Sequence, residues 1–148
     1  MGFGLTLILR QWKTLPKNLI YGQSKAFNRY FNYIDHFRKK DKTDTLLLKL
    51  YQNYLIHISS VTVFELYNGA SSSEKVKDIE LLLKNVKVLD FNSEIASVAS
   101  KIYRQLISEN KIIEFRDIFI ASTAIVNKMP VSTLNVNHFK RIKGLRII

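Results

Sequence analysis

The stretch KIIEFRDIFIASTAIVNKMPVSTLNVNHF, residues 111–139, joins a long helical pattern to a short β-prone run. FRDIFIASTAIVNK predicts a helix that is almost wholly apolar after Asp117, and PVSTL, residues 130–134, predicts a strand. A helix that leads directly into a buried strand is typical of α/β domains. This stretch therefore favours a mostly parallel sheet covered by helices on both faces.

The remainder of the chain repeats the alternation from about residue 42 onward, without a Pro- or Gly-rich linker. Three further strands are predicted at IHISS (56–60), VKVLD (86–90) and LRII (145–148). Four further helices are predicted at DTLLLKLYQNYL (44–55), VTVFELYNGA (61–70), SSSEKVKDIELLLKN (71–85) and NSEIASVASKIYRQLISEN (92–110). The predicted cap of the 71–85 helix is Ser71, in capping-box spacing with Glu74. The predicted cap of the 92–110 helix is Asn92. In the 92–110 helix the predicted buried stripe comprises Ile95, Val98, Ala99, Ile102, Leu106 and Ile107.

Composition limits the function classes. The 148 residues fit one domain, and 23 basic against 12 acidic residues give a formal charge of +11, which favours a polyanionic partner, nucleic acid first. Without cysteine there is no disulfide, thiolate zinc site or thiol nucleophile, which suits the cytoplasm. No apolar run approaches the ~20 residues that span a bilayer, so no membrane role is expected. Nucleotide-binding and acyl-transfer motifs are absent from the sequence.

Four polar residues follow or precede predicted strands where ligands bind in α/β folds. Glu65 lies one turn into the helix after IHISS, and Asp117 lies in the first turn of its helix. Thr133 lies at the end of PVSTL, and Asn135 directly follows that segment. Ligands of open α/β sheets collect beyond the carboxyl ends of the strands. If these strands are neighbours, the four side chains share one crevice. Such an oxygen-only site suits Mg²⁺ or Mn²⁺.

Each of these residues also has an ordinary structural explanation. Glu65 fits the exposed face of an amphipathic helix, a helix dipole favours Asp117 near the helix start, and Thr133 and Asn135 fit a turn. The three histidines show no paired metal spacing, which disfavours zinc.

Four segments together resemble the PIN-domain family, in particular the VapC-like ribonuclease toxins of prokaryotic toxin–antitoxin pairs. The resemblance covers residues 34–148 and begins with IDHFRKK. Glu65 matches the family's ELxxGA setting, and Asp117 matches the acid that precedes IAxxA. The later matches are Thr133, Asn135 and Phe139 in TxNxxxF, and Arg141, Ile142, Gly144, Leu145 and Ile147 in RIxGLxI.

The resemblance implies a three-layer α/β/α PIN-like domain that acts as a Mg²⁺- or Mn²⁺-dependent endoribonuclease on RNA such as tRNA. It implies a homodimer that a cognate antitoxin silences. Glu65 and Asp117 would bind the metal, and Thr133 and Asn135 would position water. The basic residues expected to contact RNA phosphates at the crevice are Arg38, Lys39, Lys40, Lys140 and Arg141, although such runs are usually solvated faces.

The first acid of the family pattern is missing. Family members begin with a strand that ends in DTN, whereas Arg29, Tyr30 and Phe31 occupy that place here. In a second register YFNYID is the first strand, and Asp35 supplies the metal ligand. We expect residues 1–28 to form an atypical basic segment that need not belong to the core, and residues 29–148 to form the PIN-like domain. A shifted reading frame or a divergent terminus would explain the join. The alternative function is a catalytically impaired protein that binds antitoxin or RNA without cleaving it.

Overall fold

The structure is a computed structural model that describes the backbone of residues 24–28, and residues 50 and 53–148 in full. The described strands are β1 (Ser24–Asn28), β2 (Tyr54–Ser59), β3 (Lys87–Leu89) and β4 (Val131–Ser132). The described helices are α1 (Ser60–Asn68), α2 (Ser73–Leu83), α3 (Ser93–Ser108), α4 (Phe115–Val126) and α5 (Val136–Phe139).

The four described strands form one parallel sheet in the order β3-β2-β1-β4. The chain moves from β1 to β2 and β3 on one side, and β4 then pairs with the other side of β1. The strand order therefore reverses between β1 and β4, and the crevice beyond their carboxyl ends is the expected ligand site. The α/β fold with a short parallel sheet is as predicted.

Local capping explains why the helices begin where they do. The Ser59 hydroxyl accepts a hydrogen bond from the Thr62 amide at 2.9 Å, so β2 passes into α1 without a loop. Asn92 caps α3 in the same way through the Ile95 amide, as predicted. The predicted cap at Ser71 is wrong: Ser72 lies three residues before the Lys75 amide and accepts its hydrogen bond.

The main core lies where α3 and α4 pack together and against β4. Leu106, Ile118 and Val131 are fully buried there. The predicted burial of Ile107 is wrong, because it lies about 100° around α3 from Leu106 and is 46% exposed. The predicted helix 44–55 is also wrong at its end, because residues 54 and 55 pair with β1 as part of β2.

The final predicted strand, residues 145–148, is reduced to a short parallel bridge between Ile147 and Val131. The Val131 amide donates to the Arg146 carbonyl, and the Ile148 amide donates to the Val131 carbonyl. Gly144, at φ +80°, makes the turn before this bridge. The closing segment thus covers the outer edge of β4 with two hydrogen bonds.

The amino-terminal predictions fall partly outside the described residues. Residues 29–49 are not described. The predicted site residues Asp35, Arg38, Lys39 and Lys40 therefore lie outside the described residues. The strand Ser24–Asn28 lies just before the predicted domain boundary at residue 29 and occupies an interior position of the sheet. None of the described helices is long and apolar enough to cross a membrane.

Candidate active site at the carboxyl edge of the sheet

The sheet topology places the starts of α1 and α4 at the same edge. Asn28 at the end of β1 pairs with Ser132 at the end of β4, and Ser59 ends β2 on the other side of β1. Helix α1 leaves this edge directly from β2. Helix α4 precedes the parallel strand β4 and runs in the opposite direction to it. Helix α4 therefore begins at the carboxyl edge of the sheet. The two helices also pack against each other.

Glu65 lies on α1 with only 5% of its surface exposed. Its Oε1 atom is 3.8 Å from Nη1 of Arg116, which belongs to the first turn of α4. Arg116 is half-exposed, and its Nη2 donates to Glu114 Oε2 at 2.8 Å. The hydrogen bond that Arg116 donates to Glu114 is the main reason the pKa of Arg116 is raised, and the charges of Glu65 and Asp117 add to it. The guanidinium group therefore lies in the electric field of both candidate acids.

Asp117 is the most buried of the candidate site residues, with 1% of its surface exposed. Its Oδ2 atom is 2.9 Å from Nδ1 of His138 on α5. Asp117 lies in the first turn of α4, where the helix dipole favours an acid. An exposed acid would satisfy the dipole equally well, so the dipole alone does not account for complete burial.

Thr133 and Asn135 form the turn that connects β4 to α5. The Thr133 hydroxyl is buried and accepts a hydrogen bond from the Asn135 amide at 3.1 Å. This contact is the turn role that the sequence offered as the alternative explanation for Thr133. Asn135 begins α5 without a side-chain cap hydrogen bond. Because α5 carries His138, the same turn brings Asn135 to the Asp117 side of the sheet edge.

The donor chemistry of the site fits a hydrated Mg²⁺ ion. Glu65 and Asp117 supply carboxylate oxygens from neighbouring helices, and Mg²⁺ is commonly held by one or two carboxylates while it retains several waters. Across the residues that the structure describes, no group of three or more His, Cys, Asp or Glu side chains is arranged to hold a metal ion. A third acid for this site would have to come from elsewhere in the chain, and Asp35 remains a prediction.

The two described members of the predicted RNA-contacting set follow α5 directly. Lys140 and Arg141 are both exposed, and Arg141 Nη1 donates to the Ile112 carbonyl at 3.3 Å. Helix α5 also holds His138 against Asp117. The two cations therefore directly follow the helix that contacts this buried acid. Their placement is compatible with contact to a bound phosphodiester.

Sequence reasoning missed Arg116 and His138. Arg116 directly precedes Asp117, and His138 follows Asn135 by three residues, so both lie inside motifs that the sequence had already identified. The sequence offers no signal for the His138 contact, which joins residues 21 positions apart. His57, in contrast, is a buried residue of β2, and its Nδ1 donates to the Leu55 carbonyl at 3.0 Å.

The family model for the PIN domain matches residues 33–145, about three quarters of the sequence. The chain belongs to the PIN-domain family. This PIN domain is 31% identical over 137 residues to Ribonuclease VapC1 of Methanocaldococcus jannaschii, with 91% of the chain and 95% of the relative covered. It is also 31% identical over 130 residues to Ribonuclease VapC2 of Rickettsia felis, with 85% and 87% covered. The resemblance to VapC ribonucleases is therefore confirmed.

Solved structures with this PIN fold include toxin–antitoxin complexes. The DNA-bound VapBC of Salmonella typhimurium matches with a TM-score of 0.73 and 24% identity, covering 85% of this chain and 98% of that one. VapBC2 of Rickettsia felis, bound to a promoter DNA fragment, matches with a TM-score of 0.72 and 23% identity, covering 83% and 96%. At these identities the likeness shows the fold of this PIN domain.

The VapC1 match also bears on the amino-terminal segment of this PIN domain. A match over 91% of 148 residues leaves about 13 residues outside it, so the match extends into residues 1–28. The strand Ser24–Asn28 lies in that same segment. The boundary at residue 29 remains a prediction, and these two observations favour an earlier start of the domain.

Proposed function

We propose that this PIN domain is a Mg²⁺-dependent endoribonuclease toxin that cleaves RNA such as tRNA. The observation that carries the proposal is the burial of Glu65 and Asp117 at one sheet edge, with Arg116 in the field of both. Two buried acids in so basic a chain are costly unless a cation compensates for them. The names of the relatives, which are ribonucleases, support the same activity.

Each candidate residue has a distinct part in this proposal. Glu65 and Asp117 hold the divalent cation, whose chemistry is to lower the pKa of a bound water and to stabilise the leaving oxygen of the phosphodiester. Thr133 fixes the turn after β4 through the Asn135 amide, and this turn presents the Asn135 side chain for contact with water or RNA. Lys140 and Arg141 retain the RNA backbone, and the charge of +11 attracts it.

The proposal extends to partners. We infer that a cognate antitoxin binds the protein, because solved structures that share its fold include VapBC complexes. The proposal also has the protein act as a homodimer in the cytoplasm. An antitoxin that covers the carboxyl edge of the sheet would keep RNA from Glu65 and Asp117. Co-expression with a candidate antitoxin, followed by size-exclusion chromatography, tests this partner and the dimer together.

A second candidate function is binding without cleavage. One observation favours it: in the first register of the family pattern, Arg29 stands where the family has its first acid. Loss of one carboxylate from a small metal site weakens both metal binding and turnover. Such a protein would retain RNA or antitoxin without hydrolysing either.

One experiment separates the two functions. Purified protein is incubated with tRNA at increasing Mg²⁺ concentration, with and without EDTA, beside the variants Glu65→Gln and Glu109→Gln. The ribonuclease proposal predicts cleavage that EDTA stops, no cleavage by Glu65→Gln, and normal cleavage by the surface control Glu109→Gln. Full activity of Glu65→Gln would reject the site. Salt-sensitive RNA retention without cleavage at any Mg²⁺ concentration would establish the second function.

A further inference from the structure

His138 is hydrogen-bonded to a candidate metal ligand, yet the sequence motifs give it no role. Its Nδ1 atom is 2.9 Å from Asp117 Oδ2. The Asp117 side chain is 1% exposed, whereas the His138 side chain is 36% exposed. The imidazole therefore lies between a buried carboxylate and the solvent at the site.

The contact bears on which ring nitrogen carries a hydrogen. When Asp117 is an ionised carboxylate it only accepts hydrogen bonds, so Nδ1 of His138 then carries the hydrogen and donates it to Oδ2. This assigns the ring either the Nδ1–H tautomer or the doubly protonated form. The assignment follows from the acceptor chemistry of Asp117 and makes a direct spectroscopic prediction.

The structure around His138 holds the ring in place. Helix α5 has only four residues, but the Phe139 side chain next to His138 is completely buried in the main core. The Thr133–Asn135 turn fixes the other end of α5, and α5 packs on α4. The donor is therefore anchored on an element separate from the one that carries its acceptor.

We propose that His138 is a positioning residue, which holds the Asp117 carboxylate in one orientation for binding the divalent cation. A carboxylate turns easily about its last side-chain bond, because that torsion has a broad, two-fold preference. A donor fixed to one of its oxygens removes this freedom before the ion arrives. Hydrogen-bond partners of metal ligands typically account for about 10- to 100-fold in metal affinity. This inference rests on the proposed function.

Two amide substitutions distinguish the contribution of the Nδ1 hydrogen bond from that of the remainder of the imidazole ring. In His138→Asn the amide nitrogen can take the place of Nδ1 and donate to Asp117. In His138→Gln the longer side chain places its amide near the position of Nε2. Asn137→Ala is the matched control, because Asn137 is an exposed neighbour on the same short helix.

The test is Mn²⁺ affinity by isothermal titration calorimetry, with thermal melting to verify that each variant folds. We expect Asn137→Ala to bind as the wild type does and His138→Asn to lie within about threefold of it. We expect His138→Gln to bind at least about 10-fold more weakly. Equal affinity of His138→Gln and wild type, or equal weakening by both amides, would overturn the proposal.

A second measurement does not depend on metal or on any variant. Long-range ¹H–¹⁵N NMR of the metal-free wild type should show hydrogen on Nδ1 of His138. A ring protonated on Nε2 alone would overturn the inference. If the wild type binds no Mn²⁺, the proposed function fails. The positioning role for a cation then fails with it, while the NMR result still decides whether the His138–Asp117 hydrogen bond exists.

Discussion

Within the described part of the chain, acidic residues meet basic partners in two regions, and the two regions differ in solvent exposure. At the end of α3, the Glu109 carboxylate contacts Lys111 and Lys143. Hydrogen bonds from Lys143 and then Lys111 lower the pKa of Glu109 to about 2. The lysine side chains are 53% and 72% exposed, so the group is hydrated. Such a surface network contributes little to stability and implies no chemistry.

The carboxyl edge of the sheet presents the opposite case. Glu65 and Asp117 are buried, and their partners Arg116 and His138 are the more exposed members of each pair. Burial of a charge is unfavourable unless it is paired and hydrogen-bonded. In a chain with 23 basic residues a lysine neighbour is readily available. The buried pairs therefore point to a functional site, whereas the lowered pKa of Glu109 does not.

The largest expected effect is on catalysis, from Asp117→Asn. This change keeps the shape of the side chain and removes its charge, so we expect cleavage of tRNA to fall at least about 100-fold. Because a neutral amide is easier to bury than a carboxylate, the melting temperature should stay the same or rise. Initial cleavage rates and calorimetry measure the two effects. A large loss of stability with normal cleavage would assign Asp117 a purely structural role.

Ile118→Ala provides the matched contrast to Asp117→Asn. Ile118 is the next residue along α4 and is also fully buried, but it lies in the apolar core. We expect the free energy of unfolding to fall by about 2–5 kcal/mol, as for other buried Ile→Ala changes. Cleavage should persist below the lowered melting temperature. Urea denaturation measures the loss; a change below about 0.5 kcal/mol would contradict the packing described here.

Removal of Lys140 or Arg141 should have a smaller effect, confined to RNA affinity. Each Ala substitution should reduce the slope of log affinity against log salt by about 0.7 if the cation contacts one phosphate of single-stranded RNA. Fluorescence anisotropy in EDTA measures binding without cleavage. Lys87→Ala is the control, because Lys87 is exposed on β3, which β2 separates from β1 and which β2 and β1 together separate from β4. An equal change in slope for Lys87→Ala would show that the attraction is not localised.

The smallest effect is expected from Lys143→Ala at the surface network. The folded pKa of Glu109, about 2, lies below its ordinary value of 4.5. The ion pair therefore stabilises the protein fully above pH 4.5, and this stabilisation is lost as the pH falls through about 2. The melting temperature of Lys143→Ala should be slightly lower than that of the wild type at pH 7, and this difference should shrink as the pH falls from 4.5 through about 2. A difference that does not depend on pH would reject the ion pair.

Local signals predicted most of the fold because they act over a few residues. Asn92 caps its helix as the sequence indicated, and Leu106 lies on the predicted buried face. The strand Ser24–Asn28 was not predicted, since SKAFN has no strong alternation. Its place depends on pairing with β2 on one side and β4 on the other.

The candidate site was predicted in its residues but not in its contacts. Motif order identified Glu65 and Asp117, and both are buried at the sheet edge that the topology favours. Their metal-binding roles remain predictions. The contacts of Arg116 and His138 depend on how α1, α4 and α5 pack, and single-sequence patterns do not encode those distances. The turn formed by Thr133 also shows that a motif residue can have a structural contact of its own.

The central claim is that Glu65 and Asp117 together bind one divalent cation. Anomalous diffraction from a crystal soaked in Mn²⁺ tests it most directly. The claim predicts an anomalous peak about 2 Å from a carboxylate oxygen of each residue, and loss of that peak in Asp117→Asn. A map without density between the two carboxylates, or with Mn²⁺ only at surface acids such as Glu109, would contradict it.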